Sequence, residues 1–398
     1  MFRLSHFMQE LRSPTPVGPR REPPGPVVIW NLVRRCNLTC RHCYSVSADR
    51  DYPGELSTDE AKAVMAELRA CGVPALILSG GEPLLRSDIF ALAEHAKALG
   101  FYTALSTNGT LIDATNVCRI AAARFDYVGI SLDGKRETHD AFRCRKGAFD
   151  ASLGGLRLCR DQGIKVGVRF TLTQANAADL PWLLGMIESE GIDKFYLSHL
   201  NYAGRGNVHR RHDAFLATTR AAMDLLFDVC WHALDRGVAK EFVTGNNDAD
   251  GVYFLQWVEA RFPDRAAHMR EKLAQWGGNS SGVNVANIDN LGNVHPDTYW
   301  WDYGLGNVRD RPFSEIWRDT SDPIMAGLKA RPRRLKGRCG ECNFADICGG
   351  NTRVRARSLT GDPWDEDPAC YLDDEEIGVV PGRTRLATTP YRHRSVTA

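Results

Sequence analysis

The stretch that decides the fold is Cys36-Asn37-Leu38-Thr39-Cys40-Arg41-His42-Cys43, in which three cysteines lie within eight residues. Cysteine thiolates are the usual ligands of iron–sulfur clusters, and a [4Fe-4S] cube needs a donor on each of its irons. Three cysteines leave one iron open to another ligand, and an open metal site serves chemistry rather than structure. A zinc knuckle, or three unrelated core cysteines, is the alternative interpretation.

A second motif, Gly80-Gly81-Glu82, follows a short apolar segment that predicts a buried strand. Two glycines allow a ligand to approach the backbone closely, and Glu82 supplies a carboxylate that can bind an ammonium group. The tripeptide also occurs in ordinary turns. It gains weight here from its position after the cysteine stretch.

The cysteine spacing followed by Gly-Gly-Glu resembles the pattern of the radical S-adenosylmethionine (SAM) enzymes. The resemblance implies that the three cysteines bind a [4Fe-4S] cluster whose open iron chelates the amino and carboxylate groups of SAM. It also implies that Gly80-Gly81-Glu82 contacts the methionine amino group. In that family the reduced cluster cleaves SAM to a 5′-deoxyadenosyl radical, which removes a hydrogen atom from an unactivated carbon. We therefore expect an enzyme whose substrate requires C–H abstraction.

The same resemblance implies further contacts with SAM. His42 stands where the family usually places an aromatic ring near the adenine, although a solvent-facing loop histidine is an equally simple interpretation. Ser131, in Ser131-Leu132-Asp133-Gly134, resembles the serine that contacts the ribose or the carboxylate. Arg143, twelve residues further on, resembles the arginine that binds the carboxylate, and a surface salt bridge is its alternative role.

The composition describes a soluble globular protein. The chain has 398 residues, a formal net charge of +1 and 43% hydrophobic residues, which indicates no particular affinity for nucleic acid or for a membrane surface. No apolar run approaches the length of a membrane span, and residues 1–26 lack the apolar region of a secretory signal. Twelve cysteines without an export signal favour metal binding in a reducing compartment, so we expect a cytoplasmic protein.

Regular alternation of strands and helices predicts the fold class. Strand segments that are each followed by a helical segment indicate an α/β architecture with a parallel sheet and right-handed crossovers. The predicted strands are residues 27–33, 75–78, 102–106, 127–132, 165–172 and 194–200. Six such units are too few for a complete eight-stranded barrel, so we expect an open, partial (β/α)6 barrel of the radical SAM type. The motifs directly follow these strands, as expected for a site at the carboxyl edge of a parallel sheet.

We expect the chain to divide into successive segments. Residues 1–26 form a Pro-rich N-terminal extension, residues 27–236 the partial barrel, residues 237–381 a smaller C-terminal domain that binds metal, and residues 382–398 a flexible tail. The smaller domain should contain a hairpin, with its first strand at 283–288 and a turn rich in Asn and Gly at 289–294.

A second set of cysteines lies near the C-terminus: Cys339, Cys342, Cys348 and Cys370. Four thiolates suit an intact [4Fe-4S] cluster or a structural zinc ion. The spacing resembles the SPASM or twitch extension of radical SAM enzymes, which houses auxiliary Fe–S clusters. A complete SPASM domain has more cysteines, whereas this chain has Asp297 and Thr352 at two of those places. We therefore expect one auxiliary [4Fe-4S] cluster, unless Asp297 or His295 is an unusual ligand.

Longer segments point to a substrate class. The segments 14–21, 28–35 and 198–207 resemble the radical SAM enzymes of haem d1 biosynthesis. The resemblance implies a tetrapyrrole substrate, 12,18-didecarboxysirohaem, from which two propionate side chains are removed so that oxo groups can take their place. An electron donor such as flavodoxin or ferredoxin is expected as a partner.

A macrocycle with several carboxylates needs a wide apolar slot with cationic groups at its rim. The candidate cations, each of which could equally be a solvated surface charge, are Arg169, His199, Arg205, Arg20 and Arg21. The candidate aromatic groups are Tyr299, Trp300 and Trp301.

Other functions stay open at this point. A haem synthase would use the same cofactors to convert propionates to vinyl groups. A peptide-modifying enzyme would share the auxiliary domain, although the short Pro-rich lead-in differs from the usual peptide-binding module. An iron–sulfur electron carrier or sensor would not need the exchangeable position that a three-cysteine site provides.

Overall fold

The computed structural model describes residues 1–18 and 24–380, which form an α/β fold around one large sheet. Arg20, Arg21 and the predicted tail at residues 382–398 lie outside the described residues. The strands are β1 (Val27–Asn31), β2 (Ala75–Ser79), β3 (Tyr102–Thr107), β4 (Tyr127–Ser131), β5 (Val166–Leu172), β6 (Lys194–His199), β7 (Glu241–Gly245), β8 (Val285–Ile288), β9 (Asn293–His295) and β10 (Gly306–Asn307).

Parallel pairing dominates this sheet. The strand order is β10-β9-β8-β1-β2-β3-β4-β5-β6-β7, and neighbouring strands from β8 to β7 are all parallel. The strands predicted from the sequence are confirmed as β1 to β6, and helices follow them along the chain. The expected open, partial barrel is therefore confirmed, and its strands end at one common carboxyl edge.

Helices connect the strands. Those before β5 are α1 (Leu4–Arg12), α2 (Thr58–Ala70), α3 (Ile89–Ala98), α4 (Val117–Ala122), α5 (Arg136–Arg143) and α6 (Ala148–Asp161). Those after β5 are α7 (Leu180–Ser189), α8 (Gly204–Val208), α9 (Leu216–Asp235), α10 (Ala249–Arg261), α11 (Pro263–Trp276), α12 (Phe313–Arg318), α13 (Pro323–Lys329), α14 (Gly337–Glu341), α15 (Ala345–Cys348) and α16 (Arg353–Thr360). Within the described residues, no helix combines the length and the apolar character needed to cross a membrane.

Local sequence signals explain where several helices begin and end. The Ser57 hydroxyl accepts a hydrogen bond from the Glu60 amide, and the Glu60 carboxylate accepts one from the Ser57 amide, so α2 begins with a complete capping box. Gly72 follows α2 with a φ of 84°, a left-handed conformation that turns the chain toward β2. Pro181 lies in the first turn of α7, where its missing amide hydrogen costs little.

The sheet extends beyond the predicted strands. β7 pairs with β6, and β8 pairs in parallel with β1, so residues after position 236 add strands on both sides of the barrel sheet. The predicted hairpin is confirmed as β8 and β9, which are antiparallel. Strands of four or five residues carry no information about a distant partner, so the sequence does not reveal that β8 also joins β1. The division of the chain at residue 236 stays a prediction.

The N-terminal segment begins with a packed helix, which the prolines that follow it do not suggest. Apolar residues recur in α1 at helical spacing, and Leu4, Phe7 and Leu11 are buried. The Phe7 ring stacks on the Phe2 ring with 4.9 Å between the centroids. The backbone of Phe2 pairs with that of Thr244 in β7, so this segment covers the edge strand of the sheet.

We expect Phe7→Ala to lower the free energy of unfolding by about 3 kcal/mol, because it removes a buried ring and leaves a cavity beside Phe2. Gln9→Ala, on the exposed face of α1, should change it by less than about 0.5 kcal/mol. Urea unfolding followed by circular dichroism measures both values. Equal stability of the two variants would show that α1 adds nothing to the barrel.

Candidate active site

The cysteine stretch lies at the carboxyl edge of the sheet, directly after β1. Asn108, which follows β3, donates a hydrogen bond from Nδ2 to Asn37 Oδ1 in the middle of the stretch (2.9 Å). The Gly-Gly-Glu motif follows β2 at the same edge, between those two strands. The parallel sheet thus brings together motifs that are separated along the chain, as the sequence predicts.

Cys36 is buried and has two hydrogen-bond donors near its sulfur. The Leu38 amide donates to Cys36 Sγ (3.4 Å), and Asn108 Nδ2 donates to it from 3.9 Å. Burial and the nearby Glu82 carboxylate raise the pKa of the Cys36 thiol to about 12. The thiol therefore keeps its proton unless a metal takes the place of that proton, as in a thiolate-bound cluster.

A guanidinium and a hydroxyl contact the other two sulfurs. Arg143 Nη1 donates to Cys40 Sγ (3.5 Å), and Ser45 Oγ lies 3.4 Å from Cys43 Sγ within hydrogen-bond reach. Burial raises the pKa of the Cys40 thiol, and the positive charge of Arg143 opposes that shift. Groups that donate to sulfur stabilise thiolate charge and tune the potential of iron–sulfur clusters. The surroundings of the three thiols fit such a cluster.

The two glycines of the second motif are required by the backbone that passes over them. A Cβ on Gly80 would lie 2.5 Å from the Val33 carbonyl oxygen, and a Cβ on Gly81 would overlap the carbonyl oxygens of Arg34 and Arg35. The Gly81 amide donates to the Val33 carbonyl (2.6 Å). In the structure the glycines admit the chain that leads from β1 into the cysteine stretch, and their contact with a ligand stays a prediction.

The Glu82 carboxylate is fully buried and already accepts several hydrogen bonds. Its donors are the Thr107 hydroxyl (2.7 Å), the Asn108 amide (2.8 Å) and the Leu84 amide (3.1 Å). Burial raises the pKa of Glu82, and these donors lower it in part. A carboxylate offers roughly four acceptor positions, so Glu82 has room for one more donor.

Arg143 is buried, whereas the sequence allowed a surface salt bridge as its alternative role. Its Nε donates to Asp133 Oδ2 (2.7 Å), and its Nη2 contacts the same oxygen. The residue ends α5, a helix with few apolar side chains that the sequence therefore does not predict. Cys144, the left-handed C-cap, follows it. Ser131, the last residue of β4, is half-buried nearby on the carboxyl edge.

His42 packs against a neighbouring ring and does not face solvent freely. It stacks on Phe142 with 4.4 Å between the centroids and 14° between the planes. Burial lowers the pKa of His42 well below its usual value, and the positive charges of Arg143 and Arg205 lower it further, so the ring is neutral. Its Nδ1 is buried with no hydrogen-bond partner among the described residues. A buried ring nitrogen without a partner is available to a ligand.

Two of the cations considered for substrate binding have protein partners. Arg205 donates from Nε to the Cys40 carbonyl (2.7 Å) and from Nη2 to the Ser47 carbonyl (3.0 Å), so it ties α8 to the cysteine stretch. His199 Nε2 lies 3.0 Å from Asp250 Oδ2 in a buried pair. Both side chains are therefore engaged with protein partners.

The aromatic candidates divide into two kinds. Trp300 is fully buried in a small core cluster and faces no open space. Tyr299 and Trp301 are half-buried and meet the Tyr44 ring edge-on, with centroid distances of 5.4 Å and 5.9 Å. Because Tyr44 directly follows Cys43, these rings form an aromatic wall beside the cysteine stretch.

The C-terminal cysteines line a single cavity. All four predicted ligands face it: Cys339, Cys342, Cys348 and Cys370. The two alternative ligands are engaged in other contacts, since His295 Nδ1 lies 2.8 Å from the Tyr303 carbonyl and Asp297 accepts a hydrogen bond from the Tyr299 amide (2.7 Å). The donor set in this cavity is therefore four thiols.

Comparison with known proteins identifies the family. The sequence model of the Radical SAM superfamily matches residues 30–178. The pre-heme d1 synthase of Dinoroseobacter shibae is 56% identical over 393 residues, which cover 98% of this chain and 97% of that protein. The chain belongs to the radical SAM superfamily. It is therefore an enzyme, and membership implies a [4Fe-4S] cluster and SAM.

Other radical SAM proteins resemble this enzyme over most of its length. The Fe-coproporphyrin III synthase of Methanosarcina barkeri is 46% identical over 356 residues, which cover 89% of each chain. The crystal structure of Streptococcus suis SuiB bound to S-adenosylmethionine superposes with a TM-score of 0.70 over 87% of this chain and 78% of that one. Its sequence identity is 18%, so this likeness shows the fold alone.

The sequence marks the segments that hold two further residues of the radical SAM site, but not their roles. Asn108 lies in Thr107-Asn108-Gly109, which follows the third predicted strand, and Asp133 lies in the segment 131–134 at the end of the fourth. Ser45, in contrast, was not singled out from the sequence. Nothing in the sequence marks Ser45 as a partner of Cys43.

We expect Gly81→Ala to lower bound iron and to reduce SAM cleavage by about 100-fold, because its Cβ would displace the backbone that carries the cysteines. Gly154→Ala in α6 is the matched control, since a Cβ there meets nothing within 4 Å. Iron assays and chromatography of 5′-deoxyadenosine after anaerobic reconstitution measure both effects. Normal iron content in Gly81→Ala would contradict the packing role of this glycine.

Proposed function

We propose that this radical SAM enzyme acts in haem d1 biosynthesis on the tetrapyrrole 12,18-didecarboxysirohaem, removing two propionate side chains so that oxo groups can take their place. The observation that carries the proposal is the 56% identity to a pre-heme d1 synthase over nearly the whole of both chains. The 46% identity to an Fe-coproporphyrin III synthase adds a second relative whose name contains a tetrapyrrole.

In this proposal Cys36, Cys40 and Cys43 hold the [4Fe-4S] cluster. Asn108 donates to the Cys36 sulfur and Arg143 to the Cys40 sulfur, and Ser45 Oγ lies within hydrogen-bond reach of the Cys43 sulfur. When bound and reduced, the cluster and SAM supply a 5′-deoxyadenosyl radical that abstracts a hydrogen atom from carbon. The protein contributes position and the exclusion of water, for which the buried carboxyl edge of the barrel is suited.

The chain offers matching groups for each part of SAM. Glu82 has one free acceptor position for the methionine ammonium. Arg143 and Ser131 are proposed to contact the carboxylate or the ribose, and the Arg143 guanidinium lies beside the Cys40 sulfur. The unpartnered Nδ1 of His42 is proposed to face the adenine. Gly80 and Gly81 set the path of the loop that carries Glu82.

We also propose one auxiliary [4Fe-4S] cluster in the cavity formed by Cys339, Cys342, Cys348 and Cys370. Structural zinc is the alternative for four thiolates, and it would draw all the sulfurs to about 2.3 Å from a single point. In residues 1–18 and 24–380, no three or more Cys, His, Asp or Glu side chains are grouped so as to hold a single ion. A cube places each thiolate on a different iron, so it suits thiols that line the walls of a cavity.

The proposed electron donor is a small acidic protein such as flavodoxin or ferredoxin. Exposed cations surround the outside of the cysteine stretch, and we call Arg41, Arg145, Lys146 and Arg211 the basic surface. Arg145 donates to the Asn37 carbonyl inside the stretch (3.4 Å). Burial lowers the pKa of His209, and the positive charges of Arg41 and Arg211 lower it further, so both cations act on the same imidazole. An acidic carrier would be attracted to the part of the surface nearest the cluster.

The test of the proposed function is anaerobic incubation of the reconstituted protein with SAM, a reductant and 12,18-didecarboxysirohaem. Mass spectrometry should show a product that has lost both propionates, together with 5′-deoxyadenosine. Conversion of propionates to vinyl groups would favour the haem synthase alternative. Failure to cleave SAM under reducing conditions would favour an electron carrier or sensor.

All twelve cysteines lie in the described residues and none forms a disulfide, which supports the proposal of a reducing, cytoplasmic location.

We expect Cys36→Ala, Cys40→Ala and Cys43→Ala each to abolish SAM cleavage while keeping the auxiliary cluster. Cys342→Ala should lower the iron content by about one cluster and reduce product formation more than SAM cleavage. Cys159→Ala, which removes a buried thiol in α6 away from both sets, is the control. Iron and sulfide analysis with product assays separates the two sites. SAM cleavage by any of the first three variants would contradict the assignment.

We expect the double variant Lys146→Glu, Arg211→Glu to lower turnover supported by reduced flavodoxin by about tenfold, because charge reversal weakens attraction of an acidic carrier. Turnover with dithionite should stay unchanged, since a small reductant needs no docking surface. Arg265→Glu is the control, because it reverses one exposed charge in α11, outside the basic surface, and should leave turnover with both reductants unchanged. A parallel loss with both reductants would show that the basic surface serves the fold rather than a partner.

A further inference from the structure

The inside of the barrel carries an arginine whose charge has no acidic partner. Arg169 lies on β5 and is half-buried, in register with Ser131 on β4 and Tyr196 on β6. Its Nη1 donates a hydrogen bond to Ser106 Oγ on β3 (2.5 Å). No carboxylate of the described residues lies within the 4.0 Å that defines an ion pair with Arg169. The single oriented contact leaves most of its donors free.

Glycines on β4 and β5 make room for Arg169 and for the neighbouring Tyr127. A Cβ on Gly129 would lie 3.0 Å from Arg169 Cδ, and a Cβ on Gly167 would lie 2.5 Å from Tyr127 Oη. Gly129 pairs with Gly167 across β4 and β5, so the two positions leave a gap in the inner face of the sheet. The aliphatic part of Arg169 crosses this gap toward β3, where Ser106 lies.

Tyrosines surround the guanidinium. Its Cζ lies 5.3 Å from the centroid of the Tyr196 ring. Burial raises the pKa of four phenols, and the charge of Arg169 opposes that shift in each of them: Tyr44, Tyr127, Tyr196 and Tyr299. The ring of Tyr196 and that of Tyr127 lie beside Arg169, since a Cβ on Gly129 would meet both Arg169 Cδ and Tyr127 at 3.0 Å. The charge of Arg169 also acts on Tyr44 and Tyr299, which belong to the aromatic wall beside the cysteine stretch.

Three buried arginines elsewhere in the described residues have carboxylate, carbonyl or amide partners for their donors. Arg355 pairs with Asp367 (2.8 Å), and Arg143 pairs with Asp133. Arg333 donates to the Leu328 and Gly349 carbonyls and to Asn279. A cation held inside a protein is costly when it lacks such partners. The free donors of Arg169 are therefore suited to a negative group that enters the barrel from outside.

We propose that Arg169 binds a carboxylate of the tetrapyrrole substrate inside the barrel, an inference that rests on the proposed function. Arginine binds carboxylates through two parallel hydrogen bonds, which fix direction as well as distance. The surrounding phenol rings offer flat apolar faces to a macrocycle. SAM also has a carboxylate, but the guanidinium that contacts a cysteine sulfur is that of Arg143, and Arg169 contacts none of the thiols.

The proposal is tested by binding measurements on the reconstituted holoenzyme under anaerobic conditions. The probes are 12,18-didecarboxysirohaem, the same compound with its carboxylates methylated, and SAM. Wild-type enzyme should bind the free acid about 10- to 100-fold more tightly than the ester. Arg169→Gln should weaken binding of the acid by the same factor and leave binding of the ester and of SAM within about twofold.

Two further variants keep the test decisive. Arg157→Gln removes an exposed arginine that pairs with Glu190 and should behave as wild type. Arg169→Lys keeps the charge but loses the pair of parallel hydrogen bonds, so it should bind the acid with intermediate affinity. This variant tests the proposal even if Arg169→Gln does not fold. Circular dichroism and iron content confirm that each variant is folded and loaded.

Each other outcome has a distinct meaning. Unchanged affinity of Arg169→Gln for the acid would overturn the inference while leaving the proposed function intact. A loss of SAM affinity with unchanged acid affinity would assign Arg169 to the methionine carboxylate and also overturn the inference. Failure of wild-type enzyme to bind either tetrapyrrole would refute the proposed function itself, and the inference with it.

Discussion

The structure depends on one close packing contact, in which the chain after β1 crosses directly over Gly80 and Gly81. Any side chain at either glycine would strike the carbonyl oxygens of residues 33–35. Further along the chain, the amide and the guanidinium of Arg205 in α8 donate to the Cys43 and Cys40 carbonyls. The cysteine stretch is thus held both where the chain enters it and at its last cysteines. These contacts order the segment that carries the three thiols. Metal binding therefore does not have to supply all of the free energy that ordering this segment costs.

Charge placement in the barrel follows from the cost of burial. Arg143 and Asp133 form a buried pair, and a further N–H of the arginine donates to the Cys40 sulfur. Removing one member of such a pair costs about 3–5 kcal/mol, so this pair fixes α5 against the cysteine stretch. The Glu82 carboxylate is stabilised differently, by hydrogen bonds from three neutral donors. Positive charge near the thiols and a single free acceptor on Glu82 suit a zwitterionic ligand that carries both an ammonium and a carboxylate.

The sequence predicts the barrel well because strand and helix periodicity are local properties. β1 to β6 and the capping box of α2 were recognisable from short segments. The parallel pairing of β8 with β1 joins residues more than 250 positions apart, and no local signal encodes it. α1 was hidden by the prolines that follow it, and α5 by its polar composition. At the site, the cysteines and Gly-Gly-Glu are recognisable from their spacing along the sequence. The partners of Arg205 and Arg169 depend on how strands and loops meet in three dimensions. The sequence shows two arginines, and it cannot tell which of them has protein partners and which has free donors.

In the proposed site, a cluster held by the thiolates of Cys36, Cys40 and Cys43 keeps one iron open for SAM. Electron paramagnetic resonance of the anaerobically reduced, reconstituted protein, recorded before and after addition of SAM, tests it most directly. We expect SAM to shift the signal of one cluster and to leave that of the proposed auxiliary cluster unchanged, and only the unshifted signal to survive in Cys40→Ala. A spectrum that SAM does not alter, or zinc in place of iron at the N-terminal site, would contradict it.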